Sequence, residues 1–241
     1  MQEEQMHRDT KFLRYSRQIF MEEVSILGQK NIAAAKILIV GAGGLGSPII
    51  QYLAAAGVGT LGIVDFDDLE LHNLNRQVIH SEQGIGKNKA NNAKVFVENL
   101  NSSIKVIPYT VRLDAETIPE IAAGYDLIID GSDNFETRYL VNDFAVQAGI
   151  PLVYGSIFAF EGQVAVFNLK GSKHLRDLFP EPPHPEDIQT CDQYGVLGPL
   201  PGVVGSLMAM MALKICIGME VKINQLTLIN LQDWTFTTVG Y

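Results

Sequence analysis

Apolar residues along the chain fall into short runs that alternate with longer amphipathic stretches. KILIV (Lys36 to Val40) is a β-branched run that stops at glycines. A helical pattern follows from Gly46 to Ala56, and a second strand, TLGIVD, ends at Asp65. A strand–glycine turn–helix–strand unit predicts parallel pairing through a right-handed crossover. The alternation continues with a helix from about Lys87 to Leu100, a strand near Ile104–Val111 and a short helix near Ala115–Ala122. The strand DLIID (Asp126 to Asp130), a helix through Asn134–Ala148 and the strand LVYGS (Leu152 to Ser156) come next. Upstream, residues 11–35 read as short helices, with Phe12, Ile19, Phe20, Val24 and Leu27 set among charges.

The final third changes character. GQVAVFNL (Gly162 to Leu169) alternates like a strand of a mixed or antiparallel sheet. LFPEPPHPED (Leu178 to Asp187) is rich in proline, which lacks the backbone donor and fixes its own φ, so an exposed loop is expected. A helix over Val203 to Ile217 and two strands, LTLINL and TFTTV, complete the pattern. The expected fold is α/β: a Rossmann-like, mostly parallel sheet flanked by helices and extended by C-terminal antiparallel strands. One continuous domain over 1–241 is expected, with N-terminal helices in 1–35, a nucleotide-binding core in 36–156 and a C-terminal part in 157–241.

Charge and cysteine usage narrow the function. Against 18 basic side chains stand 27 acidic ones, a net charge of −9. Such a surface repels phosphate backbones, which speaks against a nucleic-acid-coating role, and an anionic ligand must rest on locally concentrated cations. Two cysteines, Cys191 and Cys216, cannot build a disulfide framework or a four-thiolate zinc site. The start, MQEEQMHRDTKF, carries no signal pattern, and the apolar stretch Gly202 to Gly218 is interrupted by Lys214, which fits a buried helix better than a membrane span. A cytoplasmic protein with reduced thiols and no membrane partner is expected.

GAGGLG (Gly41 to Gly46) satisfies G-x-G-x-x-G directly after a strand and before a helix. Gly41 permits the tight turn, Gly43 lets backbone approach phosphate, and Gly46 allows the helix to pack on the strand. Asp65 lies nineteen residues beyond Gly46 at a strand end, where a ribose-binding acid belongs. Context therefore identifies a nucleotide site but leaves open a nicotinamide oxidoreductase or an ATP-using transferase. Arg76, Lys87 and Lys89 follow the ribose acid closely. Hydride transfer has no use for extra cations there, whereas a triphosphate and a pyrophosphate leaving group require them.

RYSRQI (Arg14 to Ile19), GAGGLG, DFDD, NLNRQ (Asn73 to Gln77), Lys89, DGSDNFETR (Asp130 to Arg138) and TCDQYGVLGPLPGVVGS (Thr190 to Ser206) occur in this order. In that order they resemble the ThiF/MoeB proteins, bacterial relatives of the ubiquitin-activating enzymes, over nearly the whole chain. The resemblance implies adenylation of the C-terminal glycine carboxylate of a ubiquitin-like sulfur carrier, with ATP and magnesium. The loop Gly41, Gly43, Gly44 and Gly46 would hold ATP phosphate, and Asp65 the ribose. Asn73, Arg76, Gln77 and Lys89 would surround the phosphates, and Asp133 would hold magnesium with Asn134 beside it. Arg17 would reach the neighbouring subunit of a homodimer, and the 157–241 part would bind the carrier. Within the sequence, Asp133 directly precedes the Asn134 helix and could equally cap it.

Cys191 follows the proline-rich loop, and the resemblance implies that it bonds to the activated carrier during sulfur transfer. A thiolate can attack an acyl-adenylate, although no histidine or lysine adjoins Cys191 in sequence, so a plain exposed thiol stays open. Cys216, within MALKICIGM, is read as core. Relatives commonly bind zinc through two C-x-x-C pairs. Here GSKHLRDLFP (Gly171 to Pro180) has no cysteine and the sequence stops at Tyr241 before a second pair, so no structural zinc is expected. His174 and His184 are read as solvated, and the 170–190 loop as one that orders on carrier binding. An appended sulfurtransferase domain is not expected either, which makes the sulfur donor an external protein. RYSRQ and AGVGTL favour the thiamine branch (a ThiS-like carrier) over a MoaD-type carrier of molybdopterin synthesis. A non-catalytic carrier-binding relative and a tRNA-modifying dehydratase are the remaining alternatives.

Overall fold

The computed structural model describes residues 13–184, 186 and 195–241. Eight strands form one sheet in the order β3-β2-β1-β4-β5-β6-β7-β8. The parallel part comprises β1 (Lys36–Val40), β2 (Thr60–Val64), β3 (Lys105–Tyr109), β4 (Leu127–Asp130) and β5 (Leu152–Phe158). The antiparallel extension comprises β6 (Glu161–Phe167), β7 (Gln225–Asn230) and β8 (Thr235–Gly240). The expected fold class holds. β1 and β4 are buried along nearly their whole length, as strands covered on both faces must be, and this is why they read as continuous apolar runs.

Residues 13–19 are helical and α1 spans Ser25–Ala34. One face of the sheet is covered by α2 (Gly46–Ala56), α3 (Lys89–Leu100) and α7 (Pro199–Cys216). The other is covered by α4 (Ile118–Ala122), α5 (Phe135–Ala148) and the short turn α6 (Leu175–Leu178). Two apolar clusters result, one on each face. The first is centred on Ile37, Ile39, Ile49, Leu53 and Val204, the second on Leu38, Ile128, Val141 and Phe167. Alternate β1 residues feed opposite clusters, as period-2 geometry demands.

By length and apolar composition α7 could cross a membrane. Instead it lies against α2, β5 and β6 and buries Val204 and Met208 completely. Each such side chain contributes about 1.5–3 kcal/mol, so the helix is held firmly. It starts at Pro199 rather than at the expected Val203, because proline is tolerated where the first-turn amide has no helical partner.

The proline-rich segment is irregular and exposed up to His184, apart from α6 at its start. Its described part is anchored. The Tyr139 hydroxyl is shared between the carbonyls of Phe179 and Glu181 at 2.9 and 2.8 Å. Arg176 grips Asp143 with two donors at 2.8 Å and donates to Pro180 O. The Arg176 guanidinium holds the Asp143 carboxyl below the usual carboxylate range. At the far edge of the sheet, Trp234 occupies the turn before β8 with φ +55° and is 80% exposed.

Candidate functional site

A cavity of about 600 Å³ opens at the carboxyl ends of β1, β2, β4 and β5. β1 is the strand from which the order runs outward both ways, to β2 and to β4, so this is the topological switch point where open α/β sheets bind ligands. Its lining brings together Gly41, Gly43, Gly44, Asp65, Arg76, Gln77, Lys89, Asp133 and Asn134 from separate chain segments.

The glycines are required by geometry. Gly41 has φ +94°, and a Cβ there would lie 2.8 Å from Gly131 O. At Gly46 a Cβ would sit 2.1 Å from Gly41 O, so this residue packs α2 under the loop rather than facing the cavity. The N-cap of α2, Leu45, supplies no side-chain cap, so no capping side chain occupies the amides at the helix start.

Asp65 braces this loop. Its Oδ2 accepts from Ala42 N at 2.8 Å and its Oδ1 from Asp67 N at 3.0 Å. Burial pushes its pKa up, while those amides and the Lys89 charge oppose the rise. From the other side, His80 Nε2 donates to Ala42 O at 2.9 Å, and burial lowers the His80 pKa, keeping the ring neutral. The Ala42 peptide is thus held at both its donor and its acceptor.

Lys89, first residue of α3, is held by Asn88, whose side chain caps Ala90 N and Asn91 N. Its side chain is 9% exposed and pairs with Asp67 Oδ2 at 2.8 Å. Arg76 donates to His72 O and to Asn75 Oδ1, both at 3.1 Å. Gln77 is buried, and its Oε1 has no protein partner. Asn73 lies outside the cavity lining: its Oδ1 accepts from Glu70 N and its carbonyl from Arg76 N and Gln77 N. Its part in the geometry is to shape the turn that presents Arg76 and Gln77.

The cap of α5 is Asn134, whose Oδ1 accepts from Thr137 N at 2.9 Å. Asp133 is therefore not the cap, and its exposed carboxylate faces the cavity. Among the described residues no three acidic, histidine or cysteine side chains gather as a metal cage. The Asp133 carboxylate, beside a phosphate-binding loop, fits magnesium, which takes most of its oxygens from phosphate and water.

Arg17 is exposed on the helical residues 13–19, away from this cavity lining. Cys191 lies outside the described residues. The Cys216 thiol is partly buried, and burial pushes its pKa up to about 11, which disfavours the thiolate. His174 starts α6 and pairs with Asp177 at 3.5 Å, and His184 is exposed.

Four residues at the site, His80 among them, were not singled out from the sequence. Asp130 and Arg138 are buried beneath the Asp133 turn, although both end the DGSDNFETR segment. Arg112 lies over the Phe66 ring at 5.6 Å and bridges to Glu136 at 3.0 Å, edging the cavity. An arginine within the apolar pattern of a helix was the one available signal, at Arg138.

Comparisons with known proteins identify the family and the fold. Residues 15–240 match the ThiF family. The chain is 49% identical over 210 residues to the sulfur carrier protein adenylyltransferase of Thermus thermophilus, covering 85% of this chain and 78% of that protein. It is 46% identical over 233 residues to the SAMP-activating enzyme E1 of Haloferax volcanii, covering 96% and 86%. With the adenylyltransferase and sulfurtransferase MOCS3 of Mus musculus it shares 47% over 207 residues, which is 86% of this chain but 45% of that one. Escherichia coli MccB, solved with ATP, has the same fold at a TM-score of 0.82 and 22% identity, covering 94% of this chain and 70% of that one.

Proposed function

The chain belongs to the ThiF family, and from that premise we propose that it adenylates the C-terminal glycine carboxylate of a ubiquitin-like sulfur carrier, with ATP as the adenylyl donor. The observation that carries this reading is the convergence of the glycine loop, Asp65, Arg76, Gln77, Lys89 and Asp133 on one cavity. The names of the bacterial and archaeal relatives, an adenylyltransferase for a sulfur carrier and an activating enzyme, support it.

A carrier carboxylate oxygen attacks the α-phosphorus of ATP. The bond to the bridging oxygen breaks, and pyrophosphate departs with that electron pair. Two anions must meet, so the site has to neutralise both. In this mechanism the glycine loop and the start of α2 hold phosphate, and Asp65 holds the ribose hydroxyls. Arg76, Gln77 and Lys89 receive the β- and γ-phosphates. Lys89 exchanges its bond to Asp67 for phosphate oxygen. Magnesium, held by Asp133, would supply charge neutralisation at the phosphates. Arg17, supplied by the partner copy of a homodimer, completes the cation set. The exposed Leu13, Phe20, Met21, Ile26 and Leu27 around it support an interface there. Cys191 acts only afterwards, in sulfur transfer with an external donor.

ATP–pyrophosphate exchange tests the reading. Exchange is expected with a purified ThiS-like carrier ending in Gly-Gly and absent without carrier. Exchange only with a MoaD-type carrier moves the protein to the molybdopterin branch, and exchange with neither class overturns the proposal. Cys191→Ala is expected to leave exchange intact.

A further inference from the structure

Asp130 and Arg138 are buried ionisable groups that the adenylation mechanism leaves unused. Asp130 closes β4 and is fully buried. Its Oδ1 accepts from Ser132 N at 2.9 Å and from Ser132 Oγ at 2.6 Å, while Oδ2 has no partner. Arg138, 6% exposed on α5, donates from Nη2 to Ser132 O at 2.7 Å and from Nη1 to Gly155 O at 2.8 Å. Its guanidinium lies over the rings of Tyr154 and Phe135, at 5.3 and 6.0 Å. Ser132 is therefore gripped at its amide and hydroxyl by the buried Asp130 carboxyl and at its carbonyl by the buried Arg138 guanidinium.

The position of this grip is informative. The residue after Ser132 is Asp133, and the residues after Gly155 are Ser156, Ile157 and Phe158, all lining the cavity. Burying an ion costs several kcal/mol, and apolar replacements in cores are often neutral or stabilising, so stability alone is a poor reason for this pair. A fork-shaped guanidinium that reaches one carbonyl in the turn after β4 and one on β5 is, by contrast, an efficient spacer.

We propose that Asp130 and Arg138 are positioning residues that act through Ser132, locking the Asp133 turn to strand β5 and so fixing the Asp133 carboxylate against the cavity wall opposite it. This deepens the adenylation reading and rests on it. A displacement of about 1 Å at such a site costs on the order of a hundredfold in rate.

Arg138→Lys keeps the charge but loses the fork. With a carrier that supports wild-type exchange, kcat is expected to fall at least about 30-fold. The KM for ATP should stay within about threefold, because an interaction felt only in the transition state lowers kcat and kcat/KM together. Amide hydrogen exchange should quicken locally over 131–134 while the melting temperature moves by only a few degrees. An unchanged kcat overturns the proposal. So does a raised KM for ATP at unchanged kcat, which would make Arg138 a nucleotide-binding group. If Arg138→Lys does not fold, the isosteric Asp130→Asn replaces it, with the same expectations and the same overturning results. If the wild-type protein exchanges with neither carrier class, the adenylation reading has failed. Amide exchange over 131–134 needs no carrier and still judges the clamp, with unchanged protection in the variant overturning it.

Discussion

Lys89→Met separates chemistry from stability at the cavity. The lysine ammonium pairs with Asp67 at 2.8 Å, and the two side chains are 9% and 47% exposed. Truncating one partner of a fully buried pair costs about 3–5 kcal/mol, because an uncompensated charge stays inside. Here the charge left behind, Asp67, is half exposed and can be hydrated, and the methionine side chain fills the space of the lysine stem. The stability loss should therefore sit near the surface-pair value of about 1 kcal/mol. In a chain of this size that lowers the melting temperature by about 2–4 °C. Activity should respond far more. A preorganised donor at a developing charge is worth about 3–4 kcal/mol, or 10²–10³ in rate. Calorimetry and pyrophosphate exchange on the same preparation read both quantities. Asp67→Asn supplies the control, because it frees Lys89 and should cost similar stability with most activity kept. A Lys89→Met protein that loses less than about tenfold in exchange refutes the assignment of Lys89 to the phosphates, and one that melts more than about 10 °C lower refutes the near-surface value of the pair.

Two other expectations follow from the loop. Gly46→Ala places a Cβ 2.1 Å from Gly41 O, a backbone atom that cannot rotate away, so α2 must shift and ATP binding by calorimetric titration should disappear; wild-type affinity in this variant would show that the loop tolerates the shift. The half-buried His80 resists protonation, so as pH falls below about 6.5 the unfolded chain binds a proton that the native one does not, and stability drops by up to about 1.4 kcal/mol per pH unit until the lowered native pKa is reached. Urea midpoints at pH 7.5 and 5.5 should differ less in His80→Gln than in wild type, and an equal difference would count against His80 as the source.

What could be read from the sequence was what local pattern determines. β1 and α2 fall at the expected residues because β-branched packing, the glycine turn and helical periodicity are all written within a dozen positions. β5 runs past Ser156 to Phe158 because its partner β6, rather than its own composition, carries the pairing on to Glu161. The same division holds in the site. The glycine loop, Asp65 and the cations after it announce themselves by spacing from a strand end. The grips on Ser132 and Ala42 do not, since Asp130, Arg138 and His80 acquire their meaning only when β4, β5 and the loop after β2 are brought side by side. The choice between Asp133 and Asn134 as helix cap is likewise a matter of which side chain reaches Thr137 N, and adjacency in sequence cannot decide it.

Trp234 has a practical consequence for any solution study of the molecule. It is the only tryptophan of the chain, and it stands in water at a hairpin tip rather than in either apolar cluster. Its emission in the folded protein should already lie close to that of a solvated indole, so intrinsic fluorescence will scarcely register loss of the core. Unfolding has to be followed by circular dichroism or by the tyrosines. For the same reason the indole is a quiet background against which a blue shift would announce a macromolecule settling over the β7–β8 turn.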